Sequence, residues 1–254
     1  MNQLLIRADD LGYSKGINYG IYESVKNGII NNVGVMINMP ATKHGLDLLQ
    51  GMDIDLGLHT NICAGRPLSD PREIRSITDE NGFFKASKVY RNAKADFVDL
   101  NEAIKEIEAQ YQRFLKVVGR KPDYFEAHAI YSANFLKALA IVATKYDAAL
   151  LPFNFDLDPV TFKSKTTIVT FMDSMKPNYD PLQTFKRALD YSKNCPENTV
   201  PMMVCHPGYL DQDIMTHSSL TIPRTQEVAF VCDPQTKAIV ALEKVKLVRY
   251  HELS

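Results

Sequence analysis

Two patterns of apolar residues alternate along the chain. Short, nearly continuous apolar runs suit strands buried on both faces, and between them apolar residues recur every third and fourth position, as on one face of a helix. The runs Gln3–Ala8, Val33–Met39, Ile54–His59, Tyr124–His128, Thr166–Phe171, Val200–His206 and Lys246–Tyr250 predict strands. The helical spacing predicts Ile17–Asn27, where Ile17, Ile21 and Val25 fall four apart before Gly28, and Ala41–Gln50 before Gly51. Further helices are predicted at Asp99–Val118, Ser132–Tyr146, Pro181–Lys193 and Asp233–Glu243. Asp233-Pro234 reads as a cap followed by proline at the first helical position. Thr60–Phe97, rich in Gly, Pro, Asp and Arg, is too long for a plain connection and is expected to cover a functional rim.

Strand–helix alternation throughout implies an α/β fold with a parallel sheet and helical crossovers. About seven or eight such units in one chain favour a (β/α) TIM-like barrel. An open doubly wound sheet is the alternative. With no linker or repeat, the 254 residues read as a single domain, 1–254. Neither G-x-G-x-x-G nor a Walker sequence follows the first strand, which argues against a dinucleotide or nucleotide site.

Composition narrows the function classes. A net charge of −1, with both signs interspersed, gives no electrostatic footprint for nucleic acid or an anionic membrane. Cys63, Cys195, Cys205 and Cys232 form no C-x-x-C pair, so free thiols and a cytoplasmic location are expected. No leader-like segment is seen at the N-terminus, and no apolar run approaches the ~18–20 residues of a membrane span.

The chemistry lies at the strand ends. His59, His128 and His206 close three predicted strands, and the adjacent pair Asp9-Asp10 closes a fourth. In a β/α barrel these ends share one rim, where active sites sit. One Asp with two His suits a divalent metal with open positions, and a cation would explain two neighbouring carboxylates. The bland alternatives are a turn at Asp9-Asp10 with Gly12, a strand stop at His206-Pro207-Gly208, and histidines that cap strands or satisfy core hydrogen bonds. His44 reads as a surface residue, and His217 and His251 receive no role. A Cys205–His206 dyad is rejected because adjacent strand residues face opposite ways. Glu102, Lys105, Glu106 and Glu108 read as the solvated face of a helix.

The segments "RADDLGYSKGINYGI", "DLGLHTNI", "EAH" and "CHPGY" resemble, in order and spacing, the motifs of the YdjC-like carbohydrate deacetylases, the family that contains chitooligosaccharide deacetylases. "PRTQEVAFV" is similar to that family's Arg-x-x-Glu segment, at Arg224 and Glu227. The resemblance implies a distorted β/α barrel and removal of acetyl groups from N-acetylated sugars. It implies a divalent metal on Asp10, His59 and His128, Asp9 as catalytic base, and His206 near the site; an amine leaves poorly without a proton, which makes His206 the candidate acid. It also implies magnesium and a homodimer. On chemical grounds the histidine-rich donor set suits zinc or manganese better than magnesium, which prefers oxygen. Where the family commonly has Asp-x-His-x-His-x-His, this chain has Glu126-Ala127-His128-Ala129-Ile130-Tyr131-Ser132, a departure that bears on the sugar more than on the metal. With Trp absent, Tyr13, Tyr131 and Tyr209 are the candidates for sugar stacking, against ordinary packing at the rim. The rival readings are a metal-dependent hydrolase of phosphoesters or non-sugar amides, and a non-catalytic sugar-binding protein.

Overall fold

The structure, a computed structural model, describes residues 2–153 and 156–254. Its strands are β1 (Gln3–Leu11), β2 (Asn32–Val35), β3 (Asp55–Thr60), β4 (Phe125–Ala127), β5 (Val160–Phe162), β6 (Thr166–Phe171), β7 (Thr199–Cys205) and β8 (Lys246–Val248). They form one sheet in the order β4-β3-β2-β1-β7-β6-β5, with β8 added beside β1. Every pairing is parallel except the β5–β6 hairpin. The expected TIM-like barrel is thus present as a curled, parallel-dominated half-barrel surrounded by helices.

Alternation along each strand separates two cores. Leu4, Ile6 and Ala8 of β1, with Val33, Val35 and Leu58, point to the helices. Leu5 joins Tyr124, Ile168, Met202, Val204, Val248 and Tyr250 on the inner face. The C-terminal segment closes the floor of that inner core, with Tyr250 stacked on Tyr124 at 3.9 Å between ring centres. One edge of β1 is shared: β8 pairs with Gln3–Leu5 and β2 with Arg7–Leu11. At this fork the Asn32 amide donates to the carbonyls of both Ile6 and Val248 and so bridges the two strands.

The helices are α1 (Lys15–Lys26), α2 (Thr42–Leu48), α3 (Ser87–Arg91), α4 (Leu100–Val118), α5 (Ala133–Tyr146), α6 (Pro181–Asn194), α7 (Gln212–His217), α8 (Ile222–Cys232) and α9 (Pro234–Leu242). Capping explains several boundaries. Ser14, Asp99, Ser132, Asp180 and Asp233 each accept a backbone N–H in the first turn, and Gly119 ends α4 in the left-handed conformation at φ 81°.

Four elements were not expected: α3, α7, α8 and β5. Pro223 in the first turn and Asp233-Pro234 after the last were available signals for α8. Glu106 also departs from expectation. It is fully buried, not solvated, and accepts the N–H groups of Leu68 and Ser69. That contact, with Asp96 bound to Ser132 and Asn134, ties the 60–97 segment to α4 and α5. Among the described residues, no helix is long and apolar enough to cross a membrane.

Candidate active site

Parallel strands bring their C-terminal ends to one rim, and β1 places two consecutive carboxylates there. Consecutive strand residues normally face opposite sides. Here the β1–β2 register slips between Ala8 and Leu11, and Asp10 takes φ 77°. The bulge rotates Asp10 so that both carboxylates meet His59 of β3. Asp is among the residues that tolerate this left-handed backbone.

Asp10, His59 and His128 converge, with one donor atom of each within 4.8 Å of the others. Asp10 Oδ1 lies 3.4 Å from His59 Nε2 and 3.2 Å from His128 Nδ1, and those two nitrogens are 2.8 Å apart. Asp10 Oδ1 is buried and has no hydrogen-bond partner. Oδ2 accepts a 2.7 Å hydrogen bond from Arg224 of α8. An unpartnered buried carboxylate oxygen facing two imidazole nitrogens is a donor set that a cation would complete.

A second group, Asp9, His59 and Glu126, lies against the first. Arg7 donates to both of its carboxylates, Asp9 and Glu126, at 2.8 Å each. In the second group Glu126 has both oxygens engaged, by Arg7 and His59, whereas in the Asp10 group no guanidinium among the described residues touches the atoms that face one another. Glu126 Oε1 accepts from His59 Nδ1 at 2.5 Å, which turns His59 Nε2 toward Asp10 and His128.

Burial opposes the charge of Asp10, but Arg224, His128 and His59 outweigh it and hold the carboxyl well below its usual range. Burial pushes Asp9 up to about 6, against the pull of Arg7. Burial also opposes charge on His59, yet Glu126 and Asp9 raise it to about 10. Buried His206 falls to about 3.

His206 follows β7, and α8 holds its backbone from both sides. Its N–H donates to Glu227 at 2.6 Å, and its carbonyl accepts from Arg224 at 3.3 Å. The Arg-x-x-Glu spacing thus has a physical reason: one helical turn carries both groups to one strand end. The His206 ring Nδ1 is 3.4 Å from Ser174 Oγ. Cys205 points into the outer core, away from the rim.

Of the tyrosines, Tyr13 sits beneath Arg224 and donates to the His217 carbonyl, while Tyr131 and Tyr209 are 59% and 43% exposed. Arg7, Glu126 and Tyr250 had no role in the sequence reading. A signal existed for the first: an arginine inside an apolar strand must find a buried partner. Glu126 precedes His128 by two residues and therefore shares its face.

The fold and this rim define an α/β half-barrel with a carboxylate–histidine centre at the strand ends. The chain belongs to the YdjC-like protein family, whose model matches residues 3–242. It is 30% identical over 251 residues to a chitooligosaccharide deacetylase of Yersinia pestis (strain Pestoides F), covering 96% of each chain. It is similar in structure to a protein of Enterococcus faecalis V583 with a proposed role in cellobiose-phosphate cleavage: TM-score 0.83, 22% identity, and 99% of each chain covered. A family 4 acetyl xylan esterase of Clostridium thermocellum, solved with a cobalt ion, shares the fold more distantly. Its TM-score is 0.51 at 10% identity, over 98% of this chain and 89% of that one.

Proposed function

We propose that this protein is a metal-dependent carbohydrate deacetylase that hydrolyses the acetamide of N-acetylated, chitooligosaccharide-like sugars. The observation that carries the reading is the buried, unpartnered Asp10 oxygen facing His59 and His128, with Asp9 beside it. The name of the Yersinia pestis relative supplies the sugar class, and the cobalt in the Clostridium thermocellum esterase agrees with a metal.

Asp10, His59 and His128 would hold the ion, and two nitrogens with one oxygen favour zinc, manganese or a similar ion over magnesium. Bound there, a divalent metal polarises a carbonyl and makes water more acidic. Asp9 removes the water's proton at Oδ1, which has no hydrogen-bond partner, while Arg7 holds Oδ2. A carboxyl near 6 is suited to taking and returning a proton near neutral pH. The amine leaves only when protonated. Burial pushes His206, the candidate acid, down to about 3, so it is neutral and holds no proton to give. Asp9 returns the proton it took from water to the leaving nitrogen, and the products are acetate and the free amino sugar.

The test combines metal analysis of the purified protein with acetate release from a panel of N-acetylated mono- and oligosaccharides. Near-stoichiometric metal and metal-dependent acetate release are expected. Phosphate release from phosphoesters with no acetate from any sugar overturns the reading, as does metal binding without turnover on the whole panel.

A further inference from the structure

We propose that Arg7 is a positioning residue that couples Asp9 to His59 through Glu126, with Tyr250 of the C-terminal segment holding its Nη1. This rests on the reading above. Arg7 lies on the inner face of β1 between Leu5 and Asp9, its side chain 6% exposed. Nη2 donates to Asp9 Oδ2 and Glu126 Oε2, each at 2.8 Å, and Nη1 donates to the Tyr250 hydroxyl at 3.1 Å. Glu126 spends its other oxygen on His59 Nδ1. The result is an unbroken line of hydrogen bonds: Asp9, Arg7, Glu126, His59.

The line has two consequences. With Arg7 on Oδ2, the Asp9 carboxylate leaves only Oδ1 free, so its free edge is determined. With Glu126 on Nδ1, His59 presents Nε2 toward Asp10 and His128. Both carboxylates share Nη2 while Nη1 reaches Tyr250, a fixed planar spread of two nitrogens that the single nitrogen of an ammonium does not have. Below it, the Tyr124 ring lies 5.5 Å from the guanidinium carbon and is stacked on Tyr250. Tyr250 lies beyond the residues matched by the family model. The segment that closes the floor of the half-barrel therefore also orients the chemistry at its rim.

The experiment uses full-length protein and the variants Glu126→Gln, Arg7→Lys, Tyr250→Phe and Arg7→Lys/Glu126→Gln, each checked for folding by thermal melt. Calorimetric titration with Zn²⁺ reads the His59 arm without any turnover, and acetate release gives kcat and KM for the Asp9 arm. Glu126→Gln is expected to weaken zinc affinity roughly 10- to 100-fold. Tyr250→Phe and Arg7→Lys are expected to lower kcat with KM unchanged, which a general loosening of the fold would not do. The double variant is expected to lose less than the product of the single losses.

Wild-type zinc affinity in Glu126→Gln overturns the proposal, as does a wild-type kcat in Tyr250→Phe or single losses that multiply. If Arg7→Lys does not fold, the Glu126→Gln and Tyr250→Phe results decide alone. A wild-type chain that takes up zinc but releases no acetate overturns the deacetylase reading, while the zinc affinities still test the link to His59. A wild-type chain that takes up no zinc overturns the site and the proposal together.

Discussion

Replacing Asp10 by Asn keeps the shape of the side chain and removes its charge. Asn accepts the backbone at φ 77° as readily as Asp, so no conformational cost is added. The cost falls on Arg224, whose side chain is 3% exposed and whose only carboxylate contact within salt-bridge range, among the described residues, is Asp10 Oδ2 at 2.7 Å. Breaking a buried pair from one side costs about 3–5 kcal/mol. The Asn carbonyl still accepts one neutral hydrogen bond, worth about 1 kcal/mol. Arg224 also keeps the carbonyls of Leu220 at 2.9 Å and His206 at 3.3 Å. The net loss is therefore roughly 2–4 kcal/mol, or about 5–15 °C in Tm for a chain of this size. Differential scanning calorimetry on metal-stripped protein measures this apart from any metal effect, and a zinc titration then reads the lost ligand. An Asp10→Asn protein that melts within about one degree of wild type and binds zinc equally well would refute both the pairing with Arg224 and the ligand role.

Asp9→Asn is expected to keep the metal, because Arg7 retains Glu126, and to lose at least ~10²-fold in kcat; a kcat close to wild type removes Asp9 as base. His59→Ala and His128→Ala are each expected to lose most of the bound metal on elemental analysis, and full stoichiometry in both would sink the ligand assignment. Gly57→Ala would drive a methyl to 2.2 Å from the Tyr124 ring, so a loss of at least ~2 kcal/mol in denaturant unfolding is expected, and a neutral result would mean that the inner core yields. Asp173, held below its usual range against burial by Lys176, Thr184 and Arg187, adds stability that is present above about pH 4 and disappears as pH falls. Asp173→Asn should therefore melt below wild type at pH 7 and converge with it in acid; a constant gap across pH contradicts the linkage.

Much of the fold was legible in one dimension because strand and helix periods are local properties. The β6 span Thr166–Phe171 matches the expectation to the residue, and capping residues such as Ser132 and Asp233 mark helix starts within one position. Short elements with few repeats of their period, β5 and α7 among them, gave no such signal.

The site divides in the same way. Residue type and placement at a strand end were enough to single out Asp9, Asp10, His59, His128 and His206, because a parallel sheet sends every such end to one rim. The bulge that lets two neighbouring aspartates face one centre is set by pairing with β2, which is distant in sequence. Which oxygen of each aspartate is engaged was decided by Arg7 and Arg224, whose partners lie up to 214 residues away. Glu106, polar by pattern, is buried because a distant loop needed its oxygens. The sequence alone determined the order of the longer strands and helices and the residue types at the strand ends, because these depend on near neighbours. The tertiary structure decided how the buried charges are paired, because a charge takes its partner from whatever the fold brings within about 3 Å.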